Sequence, residues 1–413
     1  MNNTIKLAVA SALLAAASSA SAAGGIVAGD WTLDIGGIVN MYYTSTTYSG
    51  DNSGAGPLGL GNGTSDRNTV LTTGLLPNYL TVSGKTRQND LDVAFLISIQ
   101  PGNATNSSLS AKTTGENRQQ YLTVGDASWG SVKFGKDLGI YAGDAILNDM
   151  TLLGVGSGAG NLHGTTTLGG IGAGYIYADW KNQIAFTSPN FNGFSFTAGV
   201  TQAWHQQDVT VTEGYGNSAT STSTKSPAFE GKVSYAFAGD VSGKVWASGI
   251  TQKNSGVTNA DEDVLDSSTT TAWDLGANVN AAGFGLTGYY GHGKGMGQTL
   301  QFNGGLDADG EKRKSEQYYV QGTYTLPGVG TKLGVSYGES KLSGNTADTK
   351  ANADTFNNIK DSMWVGGVYH PLTKHLNLVA EYSEAERKNN AVEADDSVSA
   401  KAKTISLGAI LFF

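Results

Sequence analysis

The last twelve residues, "AKTISLGAILFF" (Ala402–Phe413), decide the fold. In an extended chain Ile405, Leu407, Ala409, Leu411 and Phe413 share one face, and Ser406 and Gly408 take the other. A period of two belongs to a β-strand with one apolar side. The same alternation recurs upstream. "LDVAFLISIQ" (Leu91–Gln100) sets Leu91, Val93, Phe95, Ile97 and Ile99 against Asp92, Ser98 and Gln100. "WTLDIGGIVNMYY" (Trp31–Tyr43) sets Leu33, Ile35, Val39 and Met41 against Asp34, Gly36 and Asn40. Followed along the chain, the pattern predicts sixteen strands: 31–43, 78–87, 90–101, 118–127, 130–136, 183–189, 194–205, 228–237, 241–252, 271–281, 284–293, 316–326, 331–340, 361–370, 375–387 and 400–413.

The connections discriminate further. Tight turns fall at Gln88-Asn89, Ser128-Trp129, Pro189–Gly193, Gly239-Asp240, Ala282-Gly283, Pro327–Gly330 and Pro371–Thr373. Between them lie long polar segments such as "TSTTYSGDNSGAGPLGLGNGTSDRN", "NSGVTNADEDVLDSS" and "KGMGQTLQFNGGLDADGEKRK". Short and long alternate strictly. A soluble sandwich has no reason to gather its long loops at one end, whereas a membrane barrel has two different rims. In hydrocarbon every backbone donor and acceptor must be paired within the protein, so a spanning sheet must close on itself. Aromatics near strand ends (Trp31, Tyr42, Tyr43, Trp129, Tyr289, Tyr290, Tyr318, Tyr319, Phe412 and Phe413) are expected to form interfacial girdles, and few aromatics face the lumen in this register.

Composition agrees with an all-β transmembrane barrel. "MNNTIKLAVASALLAAASSASA" has a lysine, an apolar run and an Ala20-Ser21-Ala22 cleavage site, so residues 1–22 read as a cleaved signal peptide and 23–413 as one barrel domain. The chain has no cysteine, 58 Gly and only 7 Pro, and no apolar run long enough for a spanning helix. A net charge of −9 argues against a nucleic-acid partner. The five histidines (His163, His205, His292, His370 and His375) lack HExxH spacing, and the glycines of 154–174 lack a strand–GxGxxG–helix context, so neither a metalloenzyme nor a nucleotide loop is expected. The glycines fit close backbone packing. The acidic runs "NADEDVLD", "LDADGE" and "VEADD" lack EF-hand spacing and read as solvated surface.

One stretch escapes the alternation: "FGKDLGIYAGDAILNDMTLLGVGSG" (Phe134–Gly158) opens an irregular segment over about 137–181. Such a length in a compact domain marks a misassigned fold or a functional loop. Here a resemblance enters. "YLTVSGKT" (Tyr79–Thr86), "DLDVAFLISIQ" (Asp90–Gln100), "ENRQQYLTVGDASWGSVKFGKD" (Glu116–Asp137), "NQIAFTSPNFNGFSFTAGV" (Asn182–Val200) and the terminal Phe413 resemble Gram-negative general porins over essentially all of 24–413. The resemblance implies a trimeric, sixteen-stranded outer-membrane barrel with short periplasmic turns and long extracellular loops. It would pass small hydrophilic solutes and ions, contact outer-membrane lipid and lipopolysaccharide, and need no cofactor, metal or catalytic step. Barrels of this strand number are known from porins themselves to keep an aqueous lumen.

By the same resemblance, the third loop folds inward after the fifth strand and narrows the pore, so the functional-loop reading is preferred. Wall positions would be Tyr79, where the family often has arginine, Arg118 and Lys136, with Lys133 and Arg87 adding positive charge where register allows. Loop acids would be Asp144 and Asp149, with Asp137 weaker. Opposed charges across a narrow gap create a transverse field, and charge changes at Lys136 and Asp149 are expected to shift ion preference. The alternative reading of the two acids is that they tie the loop to the wall or cap a helical turn at "DAILNDM". Leu152-Leu153-Gly154 stands where well-known members carry a glutamate, so the narrowing is expected to be less acidic and more apolar. Two alternatives stand beside general diffusion. One is a porin selective for an organic anion or sugar, which a lumen-facing aromatic slide would favour. The other is a surface protein whose barrel only anchors its loops.

Overall fold

Sixteen antiparallel strands, each hydrogen-bonded to its sequence neighbours, close into a barrel. The structure is a computed structural model that describes residues 25–50, 66–101, 115–158, 161–162, 166–206, 219–259, 261–348, 356–391 and 398–413. The signal peptide expected over 1–22 and the run "VEADD" lie outside the described residues, as does part of the first long loop. The strands are β1 Trp31–Gly50, β2 in two pieces (Arg67–Thr72 and Tyr79–Gln88), β3 Leu91–Pro101, β4 Gln120–Asp126, β5 Gly130–Leu138, β6 Trp180–Thr187, β7 Phe194–Thr201 and β8 Ala228–Phe237. The second half comprises β9 Val241–Thr258, β10 Ser268–Ala281, β11 Phe284–Lys294, β12 Lys314–Thr325, β13 Lys332–Ser343, β14 Phe356–Pro371, β15 Leu376–Ala391 and β16 Val398–Phe412.

Closure runs through the stretch that opened the reading. β16 pairs with β1 from Ile38↔Phe412 to Gly50↔Ala400, and Phe413 exchanges backbone hydrogen bonds with Gly37 at 2.9 and 3.1 Å. Ile405 and Leu407 point outward, together with Val39, Met41, Ile97, Leu122, Phe134, Ile184, Val233, Leu275 and Val335. An extensive apolar outer surface of this kind suits hydrocarbon and would aggregate in water.

Several strands outrun their expected limits. β1 extends to Gly50, β9 to Thr258, and β14 and β15 to 16 residues each. At about 3.3 Å per residue, the 20 residues of β1 span roughly twice a hydrocarbon core. Beyond the membrane the outer face has no apolar requirement, so "TSTTYSG" carries no alternation although it is paired strand.

β2 departs from regularity. The six residues Thr73–Asn78, ending in "PN", leave the sheet between its two pieces. Pro77 cannot donate to a ladder. The Asn40 side chain covers the break, accepting from Gly74 N (2.9 Å) and donating to Leu76 O (3.0 Å), while Asn78 Oδ1 accepts from Asn40 N (2.6 Å).

The aromatic girdle needs correction. Tyr43, Trp129, Tyr318 and Phe413 are exposed, but Tyr42, Tyr289, Tyr319 and Phe412 are buried inside. Adjacent residues on a strand take opposite faces, so of each Tyr-Tyr pair one member must point inward. The lumen is also richer in aromatics than the register suggested: Tyr48, Trp246 and Tyr369 are buried there as well.

Candidate functional site

The connection between β5 and β6 enters the barrel. It begins at Gly139 and contains a one-turn helix, α1 (Gly143–Leu147), a 3-10 turn (Met150–Leu153) and a two-stranded ribbon (Asn161–Leu162 with Thr166–Thr167). Its apolar residues Ala145, Ile146, Met150, Leu168, Ile171 and Tyr175 pack against Trp246, Tyr289, Tyr319, Met363 and Val365 of the β9–β15 wall. A hydrophobic cluster thus fills that side of the bore.

Polar contacts fix the loop at both ends. Near its start, Asp144 is buried and forms ion pairs with Lys232 of β8 (2.9 Å) and Lys244 of β9. Burial pushes the Asp144 carboxyl up, and the two ammonium groups more than offset this, holding it below the usual carboxylate range. Tyr141 N donates to Glu230 Oε2 (2.8 Å), and the Glu230 Oε1 also takes Lys181 Nζ (2.8 Å). In the middle, Tyr319 Oη donates to Ala145 O (2.9 Å), and Gln321 accepts from Met150 N (2.7 Å) while donating to Asn148 O (3.0 Å). At the far side, Glu381 of β15 accepts from Val155 N (2.8 Å), Gly156 N (2.9 Å) and Tyr369 Oη (2.7 Å). The Leu75 N of the β2 detour donates to Gly154 O (2.8 Å), and Thr167 N to Gly74 O (3.0 Å). The break in β2 is therefore where the wall opens its backbone to the loop.

This arrangement accounts for the glycine that ends Leu152-Leu153-Gly154, the stretch where an acid was expected. A Cβ at Gly154 would collide with the Glu381 carboxylate, so the carboxylate comes from the wall and the loop makes room. Gly156, at φ +60°, takes the left-handed conformation that glycine adopts without strain.

The expected pore residues separate into three groups. Tyr79, Arg118, Lys133 and Asp137 come together, lining one cavity of about 170 Å³ between the loop and the β2–β8 wall. Lys133 pairs with Asp137 and lies over the Tyr121 ring (4.7 Å), while Arg118 pairs with Glu116 (2.8 Å) and lies over Trp180 (5.8 Å). Asp144 and Asp149 belong to the loop's own framework. Asp149 accepts from Thr151 N (2.8 Å), Gly170 N (3.0 Å) and Tyr175 Oη (2.6 Å), capping the 3-10 turn. Lys136 and Arg87 are elsewhere. Lys136 is in register with Gln120 and Asn182, on the face of Phe134, Leu122 and Ile184, so alternation points it outward. Arg87 is exposed at the short-turn rim, paired with Asp92 and Asp126.

Sequence reasoning missed Lys232, Lys244 and Glu381. In "AFEGKVSYAF" Glu230 and Lys232 oppose the outward Phe229, Val233 and Tyr235, a signal that was present. A second connection, Gly295–Arg313, was read as polar surface yet packs inward: Met296, Phe302 and Leu306 are buried, and Gln301 Nε2 donates to Tyr177 O and Ala178 O.

Comparison with known proteins places the chain. Among solved structures it is similar to the outer membrane channel DcaP of Acinetobacter baumannii (16% identity, 94% of this chain, 100% of that chain, TM-score 0.69). It is also similar to an anion-selective porin from Comamonas acidovorans (16% identity, 93% and 100% coverage, TM-score 0.58). A third is Salmonella typhi OmpF in complex with daunomycin (14% identity, 94% and 99% coverage, TM-score 0.57). At these identities the likeness shows the fold. No curated protein matches. The sequence profile of the Gram-negative porins matches residues 8–390, so the chain belongs to the Gram-negative porin family and is an outer-membrane channel.

Proposed function

We propose that the protein is a passive diffusion channel for small hydrophilic solutes and ions, and that its third loop sets the bore. The observation that supports this most is the loop itself, spliced by polar contacts to opposite walls while leaving a charged cavity on one side. A loop held this way narrows a passage at fixed width, and filtering then follows from size and charge at the narrowing. Permeation needs no cofactor and no catalytic step. The narrowing is assigned to Tyr79, Arg118, Lys133 and Asp137, with Lys232 and Lys244 added and Asp144 behind them.

We assign the outer wall to contact with outer-membrane lipid and lipopolysaccharide, and the assembly to a homotrimer, the form in which an OmpT of Vibrio cholerae is described. Reconstitution in planar bilayers tests the reading. Stepwise conductance is expected, and its absence overturns the proposal. Crosslinking in detergent, with a ladder ending at three subunits, tests the assembly.

A further inference from the structure

In this chain neither Asp144 nor Asp149 of the third loop lines the aperture. Asp144 is sequestered by Lys232 and Lys244, and Asp149 is consumed inside the loop. What the loop turns toward the cavity is Ile140, Gly143 and Leu147. Across from them stand Arg118, Lys133 and Lys232, with Tyr79 and Trp180 between. The aperture is thus apolar on one side and cationic-aromatic on the other, not acid against base.

The charge count agrees. The cavity is lined by three cations and one carboxylate, Asp137. The cavity lining is therefore positive, inside an acidic chain. Lys133 retains 25% of its side-chain surface and Lys232 18%, so neither is sealed from the cavity. A cavity of about 150 Å³ lined by apolar groups accepts a benzene ring, and this one is of similar size at about 170 Å³.

We propose that the aperture is a recognition site for small single-ring aromatic monocarboxylates, the carboxylate meeting Lys133 and Lys232 and the ring lying against Leu147, Ile140 and Trp180. The proposal rests on the channel reading and names the solute class that the narrowing prefers. A cation of the same shape meets net repulsion, and a small carboxylate without a ring forfeits the apolar contact.

Benzoate, benzylammonium, benzyl alcohol and acetate, each added to the full barrel conducting in symmetric KCl, test it. Benzoate should reduce the current saturably, at concentrations about tenfold below acetate for the apolar area a ring buries. Benzylammonium and benzyl alcohol should have little effect. Lys133→Gln and Leu147→Asn should each raise the half-blocking benzoate concentration by about tenfold, the scale of one charge-assisted hydrogen bond or one branched side chain. Lys136→Gln should leave it unchanged. Benzoate binding to the detergent-solubilised barrel, followed by NMR, gives the same comparison for a variant that does not insert. Equal block by benzoate and benzylammonium, equal block by acetate, or unchanged affinity in both variants overturns the proposal while the channel stands. Absence of any stepwise current overturns the channel reading itself, and the site with it.

Discussion

Glu381 is the point at which the loop's distal end is held, and its replacement separates hydrogen bonding from apolar packing. Its Oε2 accepts two buried loop N–H groups, from Val155 at 2.8 Å and Gly156 at 2.9 Å, and Oε1 accepts the Tyr369 hydroxyl at 2.7 Å. Glu381→Leu removes both acceptor oxygens, and with them three hydrogen bonds, and orphans two backbone donors. At about 1–3 kcal/mol per orphaned buried donor, docking weakens by roughly 2–6 kcal/mol, which raises the undocked population at least thirtyfold. Ser383 Oγ to Gly156 O (2.7 Å) and Tyr42 Oη to Leu153 O (2.7 Å) remain, so the barrel itself should persist. Glu381→Gln is the control. Its carbonyl can take both loop donors and its amide can donate to Tyr369, so the loss is about 1 kcal/mol. Single-channel recording and limited proteolysis measure the difference: the Leu variant should show open-channel flicker and faster cleavage within the loop, and the Gln variant little of either. A quiet current and parental protease resistance in Glu381→Leu would refute the reasoning, because the apolar cluster alone would then hold the loop.

Other predictions follow from the same contacts. Asp144→Asn leaves Lys232 and Lys244 adjacent without a counter-charge, so the reversal potential in a salt gradient should move toward anion preference and thermal stability in detergent should fall by about 2 kcal/mol. The Asp144 carboxyl is held below its ordinary value, so its stabilising contribution is fully present above the unfolded value of about 3.9 and disappears only as pH falls through the lower folded value. The contribution of Asp144 to the conductance should therefore be steady from neutral pH down past pH 5 and change only under more acidic conditions, and Asp144→Asn should remove that acid limb. Lys133→Glu should shift the reversal potential toward cations, whereas Lys136→Glu, on the outward face, should leave it unmoved. Arg313→Met removes the buried pair with Asp348 (2.6 Å) that ties the second inward connection to the β13–β14 loop, and hydrogen exchange of 295–313 should accelerate.

The barrel was legible because its signal is local and repeated. Alternation in "AKTISLGAILFF" and "LDVAFLISIQ" follows from the geometry of one strand, and the short–long rhythm of connections follows from two unlike rims. The site was legible only where a residue's face could be counted along its own strand. Lys133 and Asp137 share a parity and meet. Lys136, one residue off that parity, was placed in the pore by resemblance, and register turns it away. The aromatic girdle failed for the same reason at Tyr42, Tyr289 and Tyr319.

The sequence by itself determined an exported, cysteine-free, sixteen-stranded barrel with one long irregular connection after the fifth strand, and the family resemblance supplied its inward course. Only the tertiary structure decided what that loop does with its charges. Glu381 lies 226 positions from Val155 and Lys244 lies 100 from Asp144, separations across which no local periodicity speaks. Barrel closure brings those groups within hydrogen-bonding distance, and burial then makes each unpaired partner costly. Asp144 and Asp149 accordingly serve as the loop's fastenings, and the cavity beside the loop is lined by Lys133, Arg118, Lys232, Asp137 and an apolar edge.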